Sequence, residues 1–276
     1  MADYRPDAAS FGADYYATSC GRPYARNDEW LRFFAAIADR IVQDVNPRRV
    51  LDAGCALGLL VETLRDRGVD AHGIDLSAFA IASAAPPIAP YLKQGSIAEE
   101  IDGHYDLIVS IEVLEHMNPA EADAAVANFC RHADDVLFSS SPLDYRETTH
   151  VNVRQPEYWA EQFARHNFVR DVDFDASFVT PWAVRFRRIT EPMHRIVAGY
   201  ERTYAPLVRE RAELRSGLVA MEAELRRAQE QLTAAQAAAA GHADTIGHME
   251  RSAFWKLRRL TVGARALLGL GPGGKR

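Results

Sequence analysis

The distribution of apolar and polar residues over the first two thirds of the chain predicts alternating strands and helices. Short apolar runs occur at residues 49–53, 105–110 and 135–139. Such nearly continuous runs are typical of parallel strands that are buried on both faces. The stretches between them have apolar residues three and four positions apart, which is the spacing of an amphipathic helix. Five β/α units in this order favour an α/β fold with a doubly wound, mostly parallel sheet and right-handed crossovers.

The last third of the chain has the pattern of a long helix. From residue 207 to residue 249, every third or fourth position is mostly Leu, Met, Ala or Ile, and this heptad spacing predicts a coiled coil. The pattern is strongest at 214–232, whereas Gly241 and Gly247 weaken its second half, where we expect fraying or a second helix. A homo-oligomer, most simply a dimer or trimer, follows from this interpretation.

The C-terminal segment is basic and amphipathic. Residues 251–276 contain seven basic residues and no acidic ones, although the net charge of the whole chain is −6. Arginines among Trp, Phe and Leu suit a helix that lies on an anionic membrane surface or binds a partner protein. A disordered tail that aids solubility is the alternative. The acidic remainder of the chain argues against a groove for nucleic acid, so we expect no nucleic acid among the partners.

Composition is typical of a globular protein of the cytoplasm. The chain has 276 residues, enough for one core of ordinary size, and 48% of them are apolar. It has no apolar run as long as the roughly eighteen residues of a membrane span, and its N-terminus lacks the apolar centre of a signal peptide. Cys20, Cys55 and Cys130 lie far apart, without the spacing of a zinc site or a disulfide framework. We expect them to be reduced thiols.

The first predicted strand runs into a turn that is rich in small residues. The run at 49–53 is followed by Gly54 and Gly58, and a helical pattern begins at Leu59. Small residues allow a ligand to approach the backbone, and the free N–H groups at the start of a helix attract its anionic end. We therefore expect this turn to bind a cofactor.

The spacing of the glycines distinguishes between two classes of cofactor. A dinucleotide fold uses the pattern G-x-G-x-x-G, and here only Gly54 matches it, because Ala56 and Leu59 take the other two places. The chain instead has Asp52, Gly54 and Gly58 in the pattern D-x-G-x-x-x-G, which resembles motif I of the class I S-adenosylmethionine (SAM) methyltransferases. The resemblance implies SAM as the cofactor. An NAD-dependent oxidoreductase is a more distant alternative.

Two later segments extend this resemblance in chain order. Asp75 ends a short predicted strand at 69–75, where one carboxylate matches the two hydroxyls of a ribose. The run at 105–110 continues into Ile111 and Glu112, which resembles the segment beside the cofactor in the same methyltransferases. Both segments therefore belong to the expected cofactor site.

The resemblance covers roughly residues 12–190. It implies that two β-patterned segments, 168–174 and 182–189, form the antiparallel pair that ends a seven-stranded sheet. We divide the chain into an N-terminal lid and first helix at 1–45, a SAM-binding methyltransferase core at 46–190, a helical coiled-coil region at 191–250 and a basic tail at 251–276.

An aromatic, irregular segment at 15–24 precedes the first helical pattern. In the methyltransferases that the chain resembles, such a segment closes over the cofactor, so Tyr16 and Tyr24 are candidate lid residues; alternatively, they only pack the first helix against the sheet. Ser96 stands where relatives often have an acid for the adenine amino group, which leaves its hydroxyl and the neighbouring backbone as candidates. The cofactor residues that the resemblance implies are Tyr16, Tyr24, Asp52, Gly54, Cys55, Gly58, Asp75, Leu76, Ser96, Ile97, Ile111 and Glu112.

The tail carries a second resemblance. Residues 252–257 match the pattern Ser-x-x-Trp-(Lys/Arg)-Leu, which is found after coiled coils in bacterial glycosyltransferases and polysaccharide-assembly proteins. Together, the two resemblances imply O-methylation of a sugar or glycan in surface-polysaccharide synthesis, with tail contact to a glycosyltransferase or to the inner face of the membrane. The competing hypothesis is a non-catalytic assembly scaffold, in which the coiled coil is the working part and the first domain only binds SAM.

A sugar hydroxyl, unlike an amine, needs a base during methyl transfer. His116 and His150 are the histidines that this topology places near the carboxyl edge of the fourth and fifth strands. We expect His150 to be the base, because it lies in the loop on the acceptor side, while His116 caps or packs its own segment. In a metal-dependent variant, Glu112, Glu115, His116 and His150 resemble the metal ligands of small-RNA 2′-O-methyltransferases and hold Mg²⁺ or Mn²⁺. Similar segments occur in methyltransferases that need no metal, so we expect no metal at this site.

Overall fold

The structure is a computed structural model that describes residues 5–267, and the chain divides into two compact units, Met1–Glu201 and Arg202–Arg276. The first unit contains a seven-stranded sheet with the order β3-β2-β1-β4-β5-β7-β6. The strands are β1 (Arg49–Ala53), β2 (Asp70–Asp75), β3 (Leu92–Gln94), β4 (Leu107–Ile111), β5 (Asp135–Ser139), β6 (Phe168–Arg170) and β7 (Val184–Arg188). Strands β1 to β5 are parallel, and β7 is antiparallel to both β5 and β6. The predicted doubly wound, mostly parallel sheet is therefore confirmed.

Helices cover both faces of this sheet. They are α1 (Ala13–Thr18), α2 (Asp28–Asp44), α3 (Leu59–Arg65), α4 (Ala78–Ala82), α5 (Pro119–His132) and α6 (Pro156–Ala164), with 3-10 turns at Ala89–Tyr91 and Leu114–His116. Polar side chains determine where the longer helices begin. Asn27 accepts two backbone N–H bonds at the start of α2, and Asn118 and Glu121 form a capping box at the start of α5.

The strands contribute alternate residues to two separate cores. Val50 of β1 belongs to the core that includes Ile41 of α2 and Leu64 of α3. Its neighbour Leu51 belongs to the core that includes Phe129 of α5. This alternation follows from the two-residue period of a strand, which directs successive side chains to opposite faces. Apolar residues thus cover both faces of the sheet, so we expect the polar residues of a site at its edges.

The strands at the centre of the sheet end side by side. Asp52 near the end of β1 lies in register with Gly73 of β2 and Val109 of β4. Ile111 at the end of β4 is paired with Ser139 at the end of β5. Ligands of open α/β sheets bind at the carboxyl ends of the strands, where the strand order reverses. Several of the predicted cofactor residues therefore lie at one edge.

Two local predictions differ from the structure. The segment predicted as a strand at 168–174 is a strand only as far as Arg170, because the backbone turns at Asp171, whose carboxylate forms an ion pair with Arg185. The segment at 15–24, predicted to be irregular, includes the end of the short helix α1, which carries Tyr15 and Tyr16. The first difference involves Arg185, which lies outside the local sequence pattern.

The second unit consists of most of α7 (Met193–Arg251) together with α8 (Ala253–Leu267). Helix α7 continues through Gly241 and Gly247, so the predicted fraying or second helix is not seen before Ser252. Heptad residues such as Leu214 are exposed, in this case by 68%. The predicted tail is helical in α8, while its remaining residues, 268–276, lie outside the described part of the chain. Among the described helices, we find no segment with the length and hydropathy of a membrane span.

Candidate active site

The turn after β1 requires both of its glycines. Gly54 has a φ of +91° and Gly58 a φ of +75°, a left-handed backbone that glycine adopts without steric cost. At Gly54, a Cβ atom would collide with the side chain of Val113, and at Gly58 it would lie 2.6 Å from Cδ1 of Leu92. A side chain at either position would therefore force its neighbours to move.

Asp75 holds this turn from the end of β2. Its Oδ2 atom accepts a hydrogen bond of 2.7 Å from the backbone N–H of Ala56, a non-glycine residue with a φ of +47°. Its Oδ1 atom accepts a bond of 2.8 Å from the N–H of Ser77 at the start of α4. Burial raises the pKa of Asp75, and these two hydrogen bonds oppose the rise. Each oxygen retains a second lone pair, so the carboxylate can still accept two hydroxyl groups.

Asp52 and Cys55 are buried on either side of Gly54. Burial, and in second place the charge of Asp75, raises the pKa of Asp52 to about 8. The Cys55 side chain packs against Gly73, where a Cβ atom would lie 2.6 Å from the sulfur. Cys55 is 3% exposed, so its backbone is the part of the residue best placed to meet a ligand. A cation beside Asp52 would lower the raised pKa again.

The N-terminal aromatic residues lie against the end of β2. Tyr16 is buried and stacks on Phe79 with the ring centroids 5.8 Å apart, and Tyr24 lies 5.9 Å from Tyr16. The hydroxyl of Ser77 donates to the carbonyl of Phe11 at 2.6 Å, which ties this segment to the start of α4. Burial, together with the charge of Asp75, raises the pKa of Tyr16. The candidate lid residues thus lie next to the candidate ribose acceptor.

The remaining predicted cofactor residues on this side differ in their surroundings. Leu76 is 37% exposed beside Asp75. The hydroxyl of Ser96 accepts a bond of 3.2 Å from the N–H of Ala98 and can still donate one. The Ile97 side chain is buried. The backbone carbonyl of Ile97 accepts a hydrogen bond of 3.0 Å from the side-chain amide of Asn128. Leu76 and Ser96 are therefore the more accessible of the three side chains.

Glu112 follows β4 in a left-handed conformation with a φ of +53°. One carboxylate oxygen accepts a bond of 2.8 Å from the indole N–H of Trp182, and its backbone N–H donates 3.0 Å to the carbonyl of Ser139. The preceding residue, Ile111, is partly buried in the core that contains α2 and α3. The carboxylate of Glu112 is thus directed to Trp182.

His116 and His150 lie together, with ring centroids 4.6 Å apart and planes at 69°. Nδ1 of His116 is 2.9 Å from the Thr149 hydroxyl, which itself donates to Glu147, so this hydroxyl accepts the Nδ1 proton. Nε2 is left to accept from the hydroxyl of Tyr15 at 3.4 Å. Burial, with a smaller contribution from the charge of His150, lowers the pKa of His116 to about 4. Both nitrogens of this neutral ring are occupied within the protein.

His150 differs from His116 in its hydrogen bonds. Its Nδ1 atom lies 2.8 Å from the backbone carbonyl of Asp144. Since a carbonyl can only accept, this contact places the proton on Nδ1 and makes Nε2 the proton acceptor. The His150 side chain is 9% exposed, in the loop after β5. It can therefore act as a base through Nε2.

Glu115 is the third member of this group. One of its carboxylate oxygens accepts a hydrogen bond of 3.1 Å from the backbone N–H of Ser141. The other, Oε2, is buried and has no hydrogen-bond partner among residues 5–267. Burial, and in second place the charge of Glu112, raises the pKa of Glu115 well above its ordinary value. Glu115, His116 and His150 offer ligand atoms within 4.8 Å of one another. The fourth residue of the metal-dependent variant, Glu112, is instead bonded to Trp182.

Several residues of the site were not predicted from the sequence. Tyr15 and Thr149 fix the state of His116, and Trp182 binds Glu112. The aromatic segment contained a signal for Tyr15, since it lies next to the predicted lid residue Tyr16. Trp182 and Thr149 follow no motif, because they meet their partners only through the folded sheet.

Comparison with known proteins identifies a family for the chain. Residues 24–171, more than half of the chain, match a family described as a methyltransferase domain. The ubiquinone biosynthesis O-methyltransferase of Methylococcus capsulatus is 30% identical over 102 residues, which are 34% of this chain and 43% of that protein. The protein of the same name from Alkalilimnicola ehrlichii is 33% identical over 102 residues, 34% of this chain and 41% of that protein. The chain thus spans less than half the length of either curated relative.

A solved structure agrees with the fold. The magnesium protoporphyrin IX methyltransferase of Synechocystis PCC 6803 with bound SAM has a TM-score of 0.51 and 19% identity, and the match covers 68% of this chain and 100% of that chain. The family match extends across the glycine turn, Asp75 and both histidines. The chain therefore belongs to the methyltransferase domain family.

Proposed function

We propose that this protein transfers the methyl group of SAM to a hydroxyl oxygen of a sugar or glycan. The observation that carries this proposal is the state of His150, whose Nδ1–H donates to the carbonyl of Asp144 and leaves Nε2 to accept a proton. A hydroxyl acceptor needs such a base, whereas an amine does not. The family of the chain supports methyl transfer as the class of reaction.

The proposed cofactor edge suits a ligand with positive charge. Asp52 and Asp75 are both buried there, and burial raises the pKa of each. An ammonium or sulfonium cation nearby would favour their ionised forms. SAM carries both cations and, when bound, supplies an electrophilic methyl group on a good leaving group. We assign the ribose hydroxyls to Asp75 and the methionine end to the turn at 54–58.

The other assignments at this edge follow the accessible groups. Tyr16 and Tyr24 form the lid, Ser96 offers its hydroxyl to the adenine, and Leu76 flanks the ribose. Cys55 and Ile97 contribute through their backbone, because their side chains are buried. Ile111 and Glu112 line the same edge from the end of β4. The assigned residues are Tyr16, Tyr24, Asp52, Gly54, Cys55, Gly58, Asp75, Leu76, Ser96, Ile97, Ile111 and Glu112.

Catalysis in this scheme consists mostly of positioning. In-line displacement needs the acceptor oxygen opposite the leaving group, in a pocket from which water is excluded. Nε2 of His150 would take the hydroxyl proton as the methyl–sulfur bond breaks and the methyl–oxygen bond forms. The hydrogen bond from Nδ1 to the Asp144 carbonyl keeps the ring oriented. The neighbouring His116 has a pKa of about 4, so it remains neutral and does not repel the imidazolium that forms.

A divalent cation is a second way in which the same residues could act. Glu115, His116 and His150 bring three ligand atoms within 4.8 Å, and the buried Oε2 atom of Glu115 lacks a partner among the described residues. Mg²⁺ or Mn²⁺ held there would orient a diol and lower the pKa of its hydroxyl. His116 would have to give up its contact with Tyr15 or Thr149, and Glu112 would have to leave Trp182 to join this set. For this reason we keep the plain base as the main proposal.

A ubiquinone-biosynthesis acceptor is the second candidate for the substrate. Two curated relatives carry that name, although they match only 34% of this chain. The sugar or glycan acceptor instead rests on the tail, residues 252–257, which resembles tails of polysaccharide-assembly proteins. Both acceptors present a hydroxyl oxygen, so the same base serves either one.

We further propose that copies of the chain associate through the heptad residues of α7. Leu214, Leu218 and Leu225 are more than half exposed, and covering such residues is what forms a coiled coil. The basic helix α8 would then lie at the inner face of a membrane or on a glycosyltransferase. Light scattering should give an oligomer for the whole chain, and a chain without residues 207–276 should be a monomer with unchanged SAM affinity. A whole chain that is monomeric at about micromolar concentration would rule out the coiled coil.

The decisive experiment combines binding with turnover. Isothermal titration should show that SAM binds and NAD does not, and mass spectrometry should detect methylated sugar when the enzyme is mixed with SAM and bacterial glycans. Binding of NAD in place of SAM would indicate an oxidoreductase. SAM binding and an intact oligomer without turnover on either class of acceptor would favour the scaffold. Turnover only with a ubiquinone-type acceptor would replace the sugar by the second candidate.

A further inference from the structure

A cavity lies between α6 and the sheet, next to the end of β5. It has a volume of about 170 Å³. Of the eleven residues that line it, five are aromatic and one carries a guanidinium group: Phe138, Trp159, Trp182, Phe186 and Tyr200, with Arg170. An apolar cavity of roughly 150 Å³ holds one benzene molecule, so this cavity has room for a single six-membered ring.

The cavity is adjacent to the proposed active site. Trp182 forms part of its wall, and the indole N–H of the same residue donates to Glu112 at 2.8 Å. Ser140 also lines the cavity, and the next residue, Ser141, donates its N–H to Glu115. Two residues thus connect the cavity with the segment that carries His116. A ligand in the cavity would extend towards the acceptor edge of the sheet.

Trp159 lines the cavity, and its buried indole N–H lacks a partner in the described part of the chain. Trp159 is 2% exposed, and its indole N–H has no hydrogen-bond acceptor among the described residues. A buried donor without an acceptor is costly, and pockets for small molecules usually place a few such groups among apolar walls. Arg170 provides a second donor and Glu157 an acceptor on the same lining. The cavity therefore suits a ring that carries oxygen atoms at several positions.

We propose that this cavity is the subsite for one pyranose ring of the acceptor. Aromatic side chains combine a flat apolar face with polar tips, which matches a pyranose, whose C–H groups form an apolar face and whose hydroxyls project around its edge. A benzenoid ring with one or two substituents would leave most of the polar groups unpaired. This inference rests on the proposed sugar O-methylation and specifies where the acceptor binds.

The test compares two substitutions on the same helix. Ala160 lines the cavity, whereas Ala164, one turn later, is exposed. Ala160→Leu should fill the cavity, and Ala164→Leu adds the same side chain outside it. Binding of methyl pyranosides is followed by ligand-observed NMR up to about 50 mM, above the millimolar range of weak ligands. Wild type and Ala164→Leu should bind, and Ala160→Leu should bind at least about tenfold more weakly, equivalent to ~1.4 kcal/mol.

A second variant guards against a folding defect in the first. Trp159→Phe keeps an aromatic ring and removes the N–H group, so pyranoside affinity should fall about threefold or more. Absence of pyranoside binding to wild type, or equal binding to wild type and both cavity variants, would overturn the proposal. The proposal would also be overturned if catechol, a benzenoid ring, bound to wild type but not to Ala160→Leu while no pyranoside bound.

SAM titration separates failure of this subsite from failure of the proposed function. All three variants should retain wild-type SAM affinity, because none of the three positions is assigned to the cofactor. Loss of SAM binding in wild type would refute methyl transfer, whatever the sugar result. Methylated sugar formed equally well by wild type and Ala160→Leu would refute the subsite alone.

Discussion

The two halves of the sheet's carboxyl edge are built from different contacts. On the half that we assign to the cofactor and call the cofactor half, Asp75 accepts from the backbone of Ala56 and Ser77, which are 19 and 2 residues away. On the half that we assign to the acceptor and call the acceptor half, His116 contacts Tyr15 and Thr149, which are 101 and 33 residues away. Neighbouring strands and turns thus hold Asp75, whereas His116 is held by segments that are distant in the chain. Loop residues on the second half can change with the acceptor while the first half stays the same.

The two halves also differ in the charge that burial removes. Burial raises the pKa of Asp52 to about 8 on the cofactor half and lowers that of His116 to about 4 on the acceptor half. Both shifts favour the neutral form, since a buried charge is costly. The cofactor half is therefore poised to gain stability from a cation, and the acceptor half keeps an uncharged imidazole beside the candidate base.

The largest effect is expected from removing that base. His150→Ala should lower kcat by about 10²–10⁴, the usual contribution of a positioned base, because Nε2 of His150 would no longer take the hydroxyl proton. SAM affinity should not change, since the residue lies on the acceptor half. The rate of methyl transfer, measured against pH, checks this prediction.

His104→Ala serves as the control, because His104 is exposed. Wild-type turnover by His150→Ala would refute the base assignment.

Metal dependence is tested separately with EDTA. If EDTA abolishes wild-type turnover and Mg²⁺ restores it, the residues act through a cation. If EDTA has no effect, the metal-dependent variant fails and the plain base remains.

A smaller effect, on stability, is expected in the glycine turn. Gly54→Ala places a Cβ atom against Val113 and forces alanine into a φ of +91°. Left-handed strain costs about 1–2 kcal/mol and overpacking about 1–3 kcal/mol, so the free energy of unfolding should fall by about 2–5 kcal/mol. Gly68→Ala is the matched control, because its φ is +80° and a Cβ atom there has nothing within 4 Å. Urea unfolding showing equal losses for both variants would contradict the packing argument.

The two halves should respond to pH in opposite directions. His116 has a pKa of about 4 in the folded state, against the ordinary value of 6.5 in the unfolded chain. The unfolded chain therefore takes up a proton first as the pH falls, and stability is lost between pH 6.5 and 4. Asp52 has a folded pKa of about 8 against 3.8, so the folded state keeps a proton that the unfolded chain has released, and stability is lost as the pH rises from 4 to 8.

Variants at these two positions separate the contributions. His116→Asn should reduce the acid-side loss by about 3 kcal/mol, at 1.36 kcal/mol per unit of pKa. Asp52→Asn should reduce the loss of stability that accompanies a rise in pH from 4 to 8. Urea unfolding at several pH values measures the slopes. A variant whose slope matches that of wild type would show that its residue does not titrate as described.

The sequence was informative where contacts are local and less so where they are distant. The turn with Gly54 and Gly58 and the position of Asp75 follow from consecutive strand and helix patterns, so the fold and the placing of these residues at one edge could be predicted. The bond from Trp182 to Glu112 joins residues 70 positions apart, and neither residue signals the other. The two histidines could be placed at one edge from topology, but their protonation states depend on Thr149 and Asp144, which no motif marks.

The smallest of these effects is expected at Asp75, the residue that links β2 to the glycine turn. Asp75→Ala removes the proposed acceptor of the ribose hydroxyls and should weaken SAM binding by about 1.5–3 kcal/mol, the usual value of hydrogen bonds to a charged group. The backbone N–H groups of Ala56 and Ser77 lose their acceptor as well, so the melting temperature should fall while the chain remains folded. Asp70→Ala is the control, because Asp70 is exposed at the opposite end of the same strand. Isothermal titration that finds the same SAM affinity for wild type and Asp75→Ala would assign the ribose to another residue and leave Asp75 the role of holding the turn.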